Sequence, residues 1–185
     1  MDTTRPSTTA ARSEAPDGHQ LIAAGLEGHG ITHVFAIGGT PIHETLAACL
    51  RHGIRVVGVH NQQAAAMMAA SYNYMTGRLS AAVILSAGPA IANSVTGLLV
   101  AHDNDWPLLV IGGCRPIDMR GRGAFQDLDA VPIVGSITRF AARLDRPEEI
   151  VPALDRACRI ATGSRPDVFA DLADVDILIE ACAED

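Results

Sequence analysis

Short apolar runs alternate with amphipathic segments from residue 17 to residue 172, and glycine or proline stands at most of the junctions. The apolar runs have the length of strands, and the segments between them carry apolar residues at helical spacing. Predicted strands cover residues 32–37, 54–59, 81–85, 107–111, 137–141 and 168–172. Predicted helices cover residues 17–29, 42–51, 62–75, 89–101 and 147–162. This alternation predicts an α/β fold, with a doubly wound, mostly parallel six-stranded sheet and helices on both faces.

The two ends of the chain differ from this alternating region. Residues 1–16 are rich in Thr, Ser, Pro and Ala, which predicts a disordered N-terminal tail. Residues 179–185 form a short acidic C-terminal tail. The region between them, residues 17–178, has the length of one ordinary domain and shows no internal repeat.

Composition excludes several classes of function. Hydrophobic residues make up 48% of the chain and aromatic residues only 4%, which suits the close packing of helices on a buried parallel sheet. The net charge of −7 argues against a protein that binds the phosphate backbone of nucleic acids. All 14 basic residues are arginine. The chain therefore has no lysine for Schiff-base chemistry or for a phosphate-binding P-loop.

Cysteine usage and hydropathy predict a cytoplasmic protein. The cysteines are far apart and form no CxxC pair, which favours unpaired thiols in a reducing compartment over a metal site. They are Cys49, Cys114, Cys158 and Cys182. No apolar run reaches the roughly 18 residues that a membrane span requires. The polar start of the chain does not resemble a secretory signal.

Three turns between a strand and the following helix carry the candidate chemistry. They cover residues 38–40, 60–63 and 86–89, and two of them contain glycine. Parallel strands bring such turns together at the carboxyl edge of a sheet, where ligands bind, and glycine allows close approach to a ligand. The alternative is that they are only tight turns. None matches the GxGxxG fingerprint or a Walker loop, so a simple nucleotide-binding module has little support.

Longer segments around these turns resemble a known family. They are GITHVFAIGG at 30–39, GVHNQQAAAM at 58–67, TGR at 76–78, SAGPA at 86–90 with Asn93, TGL at 96–98, PLLVI at 107–111 and GAFQD at 123–127. As a set, and in this order, they resemble the pyrimidine-binding (PYR) domain of thiamine-diphosphate enzymes, in particular the acetolactate synthase and 2-oxo acid decarboxylase group. The resemblance extends over residues 18–178.

The resemblance implies roles for individual residues of this chain. The catalytic positions correspond to Gln62 and Gln126. The cofactor-binding positions correspond to Gly38, Gly39, Gln62, Gly88, Pro89 and Asn93. The substrate-binding positions correspond to Thr40, His60, Asn61, Phe125 and Gln126. No residue of this chain corresponds to a metal ligand.

The resemblance also implies a partner. In the family, a second (PP) domain holds the cofactor's diphosphate through Mg²⁺, and the PYR domain holds its aminopyrimidine ring. No Gly-Asp-Gly…Asn-Asn metal motif occurs in these 185 residues. We therefore expect half of an active site, completed by a separate PP subunit in an α2β2 assembly. The expected reaction is decarboxylation or carboligation of a 2-oxo acid.

One position departs from the family pattern. The family has a glutamate where this chain has Gln62, and that glutamate exchanges a proton with the pyrimidine ring. An amide can hydrogen-bond the ring, but it has no titratable proton to exchange. Two interpretations follow. The chain is a catalytic subunit with altered proton chemistry, or it is a degenerate PYR domain that acts as a structural or regulatory partner.

Overall fold

A computed structural model describes residues 17–163 and 177–181. The helices are α1 Gly18–Gly28, α2 His43–Arg51, α3 Gln62–Thr76, α4 Pro89–Asn104, α5 Val131–Val134 and α6 Ile150–Thr162. The strands are β1 His33–Ala36, β2 Arg55–Gly58, β3 Ala81–Leu85, β4 Leu109–Gly113, β5 Phe140–Leu144 and β6 Ile177–Ala181. Short 3-10 helices cover Thr40–Ile42, Ile117–Met119 and Pro147–Glu149.

The strands form one sheet in the order β2-β1-β3-β4-β6-β5, and every neighbouring pair is parallel. Strand β3 is buried at all of its positions, as expected of a strand covered by helices on both faces. The prediction of an α/β fold with a parallel sheet between helices is confirmed.

Two hydrophobic cores lie on opposite faces of the sheet. Helices α1, α2 and α6 bury Leu26, Cys49 and Leu154 in one core. Helices α3, α4 and α5 contribute to the other, where many of the buried side chains are alanine. Helices α3 and α4 approach closely at Gly97, where an added Cβ would lie 2.6 Å from the Cβ of Ala66. Small residues at this contact let the two helices pack as one unit.

The end of α3 is anchored to the sheet by Asn73, whose side chain is fully buried. Its Nδ2 donates to the carbonyl oxygens of Ala81 and Pro107, both at 2.9 Å. Its Oδ1 accepts from the backbone N–H groups of Ser80 at 2.9 Å and Ala81 at 2.7 Å. One side chain thus joins the helix to the start of β3 and to the segment before β4.

The structure moves one predicted strand and extends the sheet at its end. The strand predicted at 137–141 is instead β5, residues 140–144, because the backbone N–H of Ile137 bonds the carbonyl of Val134 at the end of α5. Strand β6 runs through residue 181, into the segment predicted as the tail 179–185. The strand predicted at 168–172 and the tail at 1–16 lie outside the described residues.

Cysteine pairing differs in part from the prediction. Cys49 and Cys158 are free and buried, but Cys114 is disulfide-bonded. Within the described ranges, no helix combines the length and apolar character that crossing a bilayer requires.

Candidate functional site

The topology creates a crevice beside β1. This strand lies between β2 and β3. The chain therefore passes from β1 to the neighbour on one side, β2, and then crosses to the neighbour on the other side, β3, which makes β1 the switch point of the sheet. The helix after β1, α2, packs in one core, and the helix after β3, α4, packs in the other. A switch point of this kind leaves a space beyond the carboxyl ends of the strands, and ligands of open α/β sheets bind there.

A cleft of about 500 Å³ occupies this switch point. It is lined by the ends of β1 and β3, the first residues of α3 and α4, and the loop before α5. The lining residues are Ile37, Gly38, Gly39, Thr40, Gln62, Ser86, Pro89, Ala90, Asn93, Phe125 and Gln126. Most of the residues that the sequence placed in a site therefore come together in one cavity.

The turns after β1 and β3 touch each other through a glycine. A Cβ on Gly39 would lie 2.5 Å from the Oγ of Ser86 and 2.8 Å from its Cβ. A larger residue at position 39 would therefore push the two turns apart. Glycine is needed here for space and not for backbone conformation, because Gly39 is extended, with a φ of −167° that any residue can adopt.

The turn before α4 supports the loop that carries Gln126. Gly88 has a left-handed φ of 55°, and a Cβ added there would lie 2.6 Å from the carbonyl oxygen of Gln126. Gln126 itself has a φ of 65°. Gly88 is buried beneath this loop and is not among the residues that line the cleft. Its contact with the loop is the role that the structure gives it.

Phe125 stands at the rim of the cleft with 79% of its surface exposed. The Nε of Arg115 donates to the Phe125 carbonyl oxygen at 2.6 Å, and the guanidinium lies 5.9 Å from the ring centroid. A neighbouring arginine therefore holds the backbone at the rim, while the aromatic side chain remains open to solvent.

The polar centre of the cleft is a pair of amides. Gln62 is the first residue of α3, and Asn93 lies one turn into α4. The Nδ2 of Asn93 donates a hydrogen bond of 2.7 Å to the Oε1 of Gln62. The two helices thus bring together side chains that are 31 positions apart in the chain.

Besides Gly88, two predicted site residues lie outside the cleft lining. His60 is exposed, and Asn61 is the N-cap of α3, where its Oδ1 accepts from the backbone N–H of Ala64 at 3.2 Å. Their predicted contacts with substrate stay predictions, as do the roles of the residues that line the cleft.

Sequence reasoning did not assign Ile37, Ser86 and Ala90 to the site, although all three line the cleft. Ile37 immediately precedes Gly38, Ala90 immediately follows Pro89, and Ser86 lies two positions before Gly88. Their position at the carboxyl end of a strand, or in the first turn of the next helix, was the available signal.

The cleft lining is electrically neutral. None of the described residues that line it is Asp, Glu, His, Lys or Arg, so the polar groups are amides, hydroxyls and backbone. In the part of the chain that the structure describes, no group of three or more His, Cys, Asp or Glu side chains could hold a metal ion. The arrangement suits an uncharged ring with hydrogen-bonding edges.

Comparison with known proteins identifies the family. Residues 16–133 match the family model described as thiamine pyrophosphate enzyme, N-terminal TPP binding domain. The chain is 32% identical to human 2-hydroxyacyl-CoA lyase 1 over 181 residues, which covers 95% of this chain and 31% of that protein.

Other relatives give the same result. The chain is 33% identical to 2-hydroxyacyl-CoA lyase of Arabidopsis thaliana over 81% of its own length and 26% of the relative. It is 32% identical to the acetolactate synthase large subunit IlvG of Mycobacterium tuberculosis, over 85% of its own length and 29% of that protein. The chain thus spans about a third or less of these relatives. It belongs to the thiamine pyrophosphate enzyme family and contains that family's N-terminal, pyrimidine-binding domain.

Proposed function

We propose that this chain holds the aminopyrimidine ring of thiamine diphosphate in an enzyme that decarboxylates a 2-oxo acid or joins it to a second carbonyl compound. The observation that carries the proposal is the cleft at the switch point. It brings Gly39, Gln62, Pro89, Asn93 and Gln126 to one cavity, although they come from four separate segments of the chain. A family match over residues 16–133 supports the same cofactor.

The residues present fit one half of the cofactor. An uncharged aromatic ring with polar edges suits a lining of amides, hydroxyls and small apolar side chains such as Ile37 and Ala90. A diphosphate needs cationic groups or a metal ion, and no described lining residue supplies either. We assign the diphosphate and Mg²⁺ to a PP domain on a separate subunit, in an α2β2 assembly.

The residues of this chain would bind and orient. When bound, thiamine diphosphate supplies the carbon nucleophile that attacks a 2-oxo acid and accepts the electrons released as carbon dioxide leaves. Gln62 would hydrogen-bond the pyrimidine ring without exchanging a proton with it. Losing that acid–base group would lower the rate by on the order of 10²–10⁴ relative to a glutamate at this position.

The positions of Gln126, Thr40 and Phe125 agree with contact to substrate at the open side of the cleft. Phe125 is exposed at the rim, and the backbone at Gln126 is held in a left-handed conformation against Gly88. We propose a cytoplasmic location, and cell fractionation tests it.

A second candidate function follows from Gln62 itself. A PYR domain that lacks the acid–base group would serve as a structural or regulatory partner of a PP-containing enzyme. Substitution Gln62→Glu separates the two. A wild type without turnover that gains activity in Gln62→Glu indicates a degenerate site that has lost its acid. A loss of activity shows that the amide belongs to a working mechanism.

The test combines the full chain with a PP-domain polypeptide that co-purifies with it. Carbon dioxide release is measured with a panel of 2-oxo acids at saturating thiamine diphosphate and Mg²⁺. Cleavage of 2-hydroxyacyl-CoA thioesters is measured as well, because two of the relatives described above carry that name. The matched control is Gln63→Glu, which makes the same change one residue away from the cleft lining. Absence of turnover in the wild type and in Gln62→Glu, with both subunits assembled, would contradict a catalytic role.

A further inference from the structure

We propose that Asn93 is a positioning residue that holds Gln62 as a hydrogen-bond donor, so that the cleft selects a ring nitrogen in its unprotonated form. The inference rests on the proposed function, because it concerns how the same cleft receives the pyrimidine ring. The Gln62–Asn93 amide pair would prefer the unprotonated ring nitrogen, whereas a carboxylate at position 62 would prefer the protonated one.

The polarity of the amide pair carries the argument. Asn93 donates from Nδ2, and Gln62 accepts at Oε1. A side-chain amide has one oxygen that accepts and one nitrogen that only donates. With Oε1 occupied, Gln62 is left with the two N–H groups of Nε2. Among the described residues, no hydrogen bond from Nε2 to another group is present, and Gln62 lines the cleft.

The backbone fixes this arrangement. Gln62 begins α3 directly after the capping residue Asn61, which fixes the backbone at that position. Helices α3 and α4 are in contact at Ala66 and Gly97, one turn or so beyond the amide pair on each helix. The two amides therefore face each other at a separation that helix packing determines, and reversing their polarity requires both side chains to turn over together.

This polarity predicts which form of a ring binds. A neutral ring nitrogen accepts a hydrogen bond from Nε2. A protonated ring nitrogen is itself a donor, so two donors would face each other. Neither would have an acceptor in the cleft, and each would have given up its hydrogen bond to water. A carboxylate at position 62 has the reverse preference, because it accepts from the protonated ring and pairs with its positive charge.

Other titratable and charged groups on the elements around the cleft do not distinguish these cases. The imidazole Nε2 of His43 lies 3.3 Å from the Cβ position of Gly38, and His60 precedes α3. In the loop that carries Gln126, Arg115 bonds the Phe125 carbonyl and Asp127 accepts from the N–H of Gly121. Helix α3 contains no charged residue. These groups are identical in the wild type and in the variants. A difference in the pH dependence of binding therefore comes from the substituted position.

The experiment measures binding of 4-amino-5-hydroxymethyl-2-methylpyrimidine, the free pyrimidine part of the cofactor, to the full chain. Ligand-observed NMR titrations are run at pH values below and above the pKa of the ring. The wild type should bind about tenfold more tightly above that pKa, which corresponds to about 1.4 kcal/mol. Gln62→Glu should show the reverse dependence on pH. The control Gln63→Glu should follow the wild type.

A third variant tests the positioning role of Asn93. Asn93→Leu keeps the side-chain size but removes the donor, so Gln62 is free to present either its oxygen or its nitrogen. The pH preference should then shrink to less than about threefold while the ring still binds. A merely structural role for Asn93 would weaken binding equally at every pH. Circular dichroism of each variant confirms that it is folded.

The outcomes separate the inference from the function on which it rests. If the affinity of the wild type for the pyrimidine does not change with pH, or falls as the pH rises, the inference is overturned and the proposed function is unaffected. A pH preference in Asn93→Leu equal to that of the wild type overturns the positioning role. Absence of binding in the wild type and in both glutamate variants overturns the inference, and turnover by the assembled subunits then tests the proposed function separately.

Discussion

Substitution Asn73→Ala is expected to cost a large part of the stability of this protein. The Asn73 side chain is fully buried and makes four hydrogen bonds, to two backbone carbonyls and two backbone N–H groups. Alanine removes all four hydrogen bonds, and its side chain offers the four backbone groups no new partner. The backbone partners lie at the start of β3 and before β4, where neighbouring residues such as Leu108 are buried as well.

The magnitude follows from the number of bonds. At a net value of about 1 kcal/mol for each hydrogen bond, the loss is about 4 kcal/mol, and the cost of orphaned buried groups raises it. The better helix propensity of alanine offsets only about 0.5 kcal/mol. Typical domains are stable by about 5–15 kcal/mol, so this one substitution should remove about a quarter or more of the total.

Urea unfolding of the full chain, followed by far-UV circular dichroism, measures the free energy of unfolding. The matched control is Asn104→Ala, which removes one exposed hydrogen bond of 2.7 Å to the carbonyl of Val100 at the end of α4. That variant should lose less than about 1 kcal/mol. The reasoning is refuted if Asn73→Ala loses no more than the control, or if Asn73→Asp, which keeps the acceptor oxygens, is as stable as the wild type.

Three further outcomes are expected from the same structure. Gly39→Ala places a Cβ 2.5 Å from the Oγ of Ser86 and should weaken binding of the free pyrimidine in a titration, while the double variant with Ser86→Gly should recover it. Gly88→Ala combines a φ of 55° with a contact of 2.6 Å to a loop carbonyl, and should lose about 1–3 kcal/mol in urea unfolding. Burial raises the pKa of the Cys49 thiol from 9.0 to about 11 and that of Cys158 to about 12, the latter with a smaller effect of a nearby aspartate. The folded state therefore keeps protons that the unfolded state releases, so stability should fall as the pH rises from 9.0 towards 11, and less steeply in Cys49→Ala.

The sequence predicted the boundaries of strands and helices correctly where the apolar pattern and the turn residues indicated the same ends. Strand β3 was predicted with its observed ends, because five consecutive apolar residues between turn signals are typical of a strand buried on both faces. Helix α3 was predicted to within one residue, because Asn61 caps its start and Gly77 ends it with a φ of 66°. Local signals of this kind do not depend on distant parts of the chain.

Features that depend on tertiary contacts were not predictable in the same way. Helix α5 has four residues, too few for an apolar period, and its presence displaces β5 towards the C-terminus. The hydrogen bond between Gln62 and Asn93 joins two helices, so neither local pattern contains it. The sequence did not show that Asn61 caps α3, although a polar residue before a helix suits capping; its contact with substrate stays a prediction.

The close contact of α3 with α4 has a thermodynamic consequence for the cleft. Because Gly97 lets the helices touch at Ala66, the side chains at their N-terminal ends are already assembled before any molecule enters. Association then requires little ordering of the protein, and less of the interaction free energy is lost as conformational entropy. A cleft that is shaped in advance can receive its ligand without a rearrangement of these two helices.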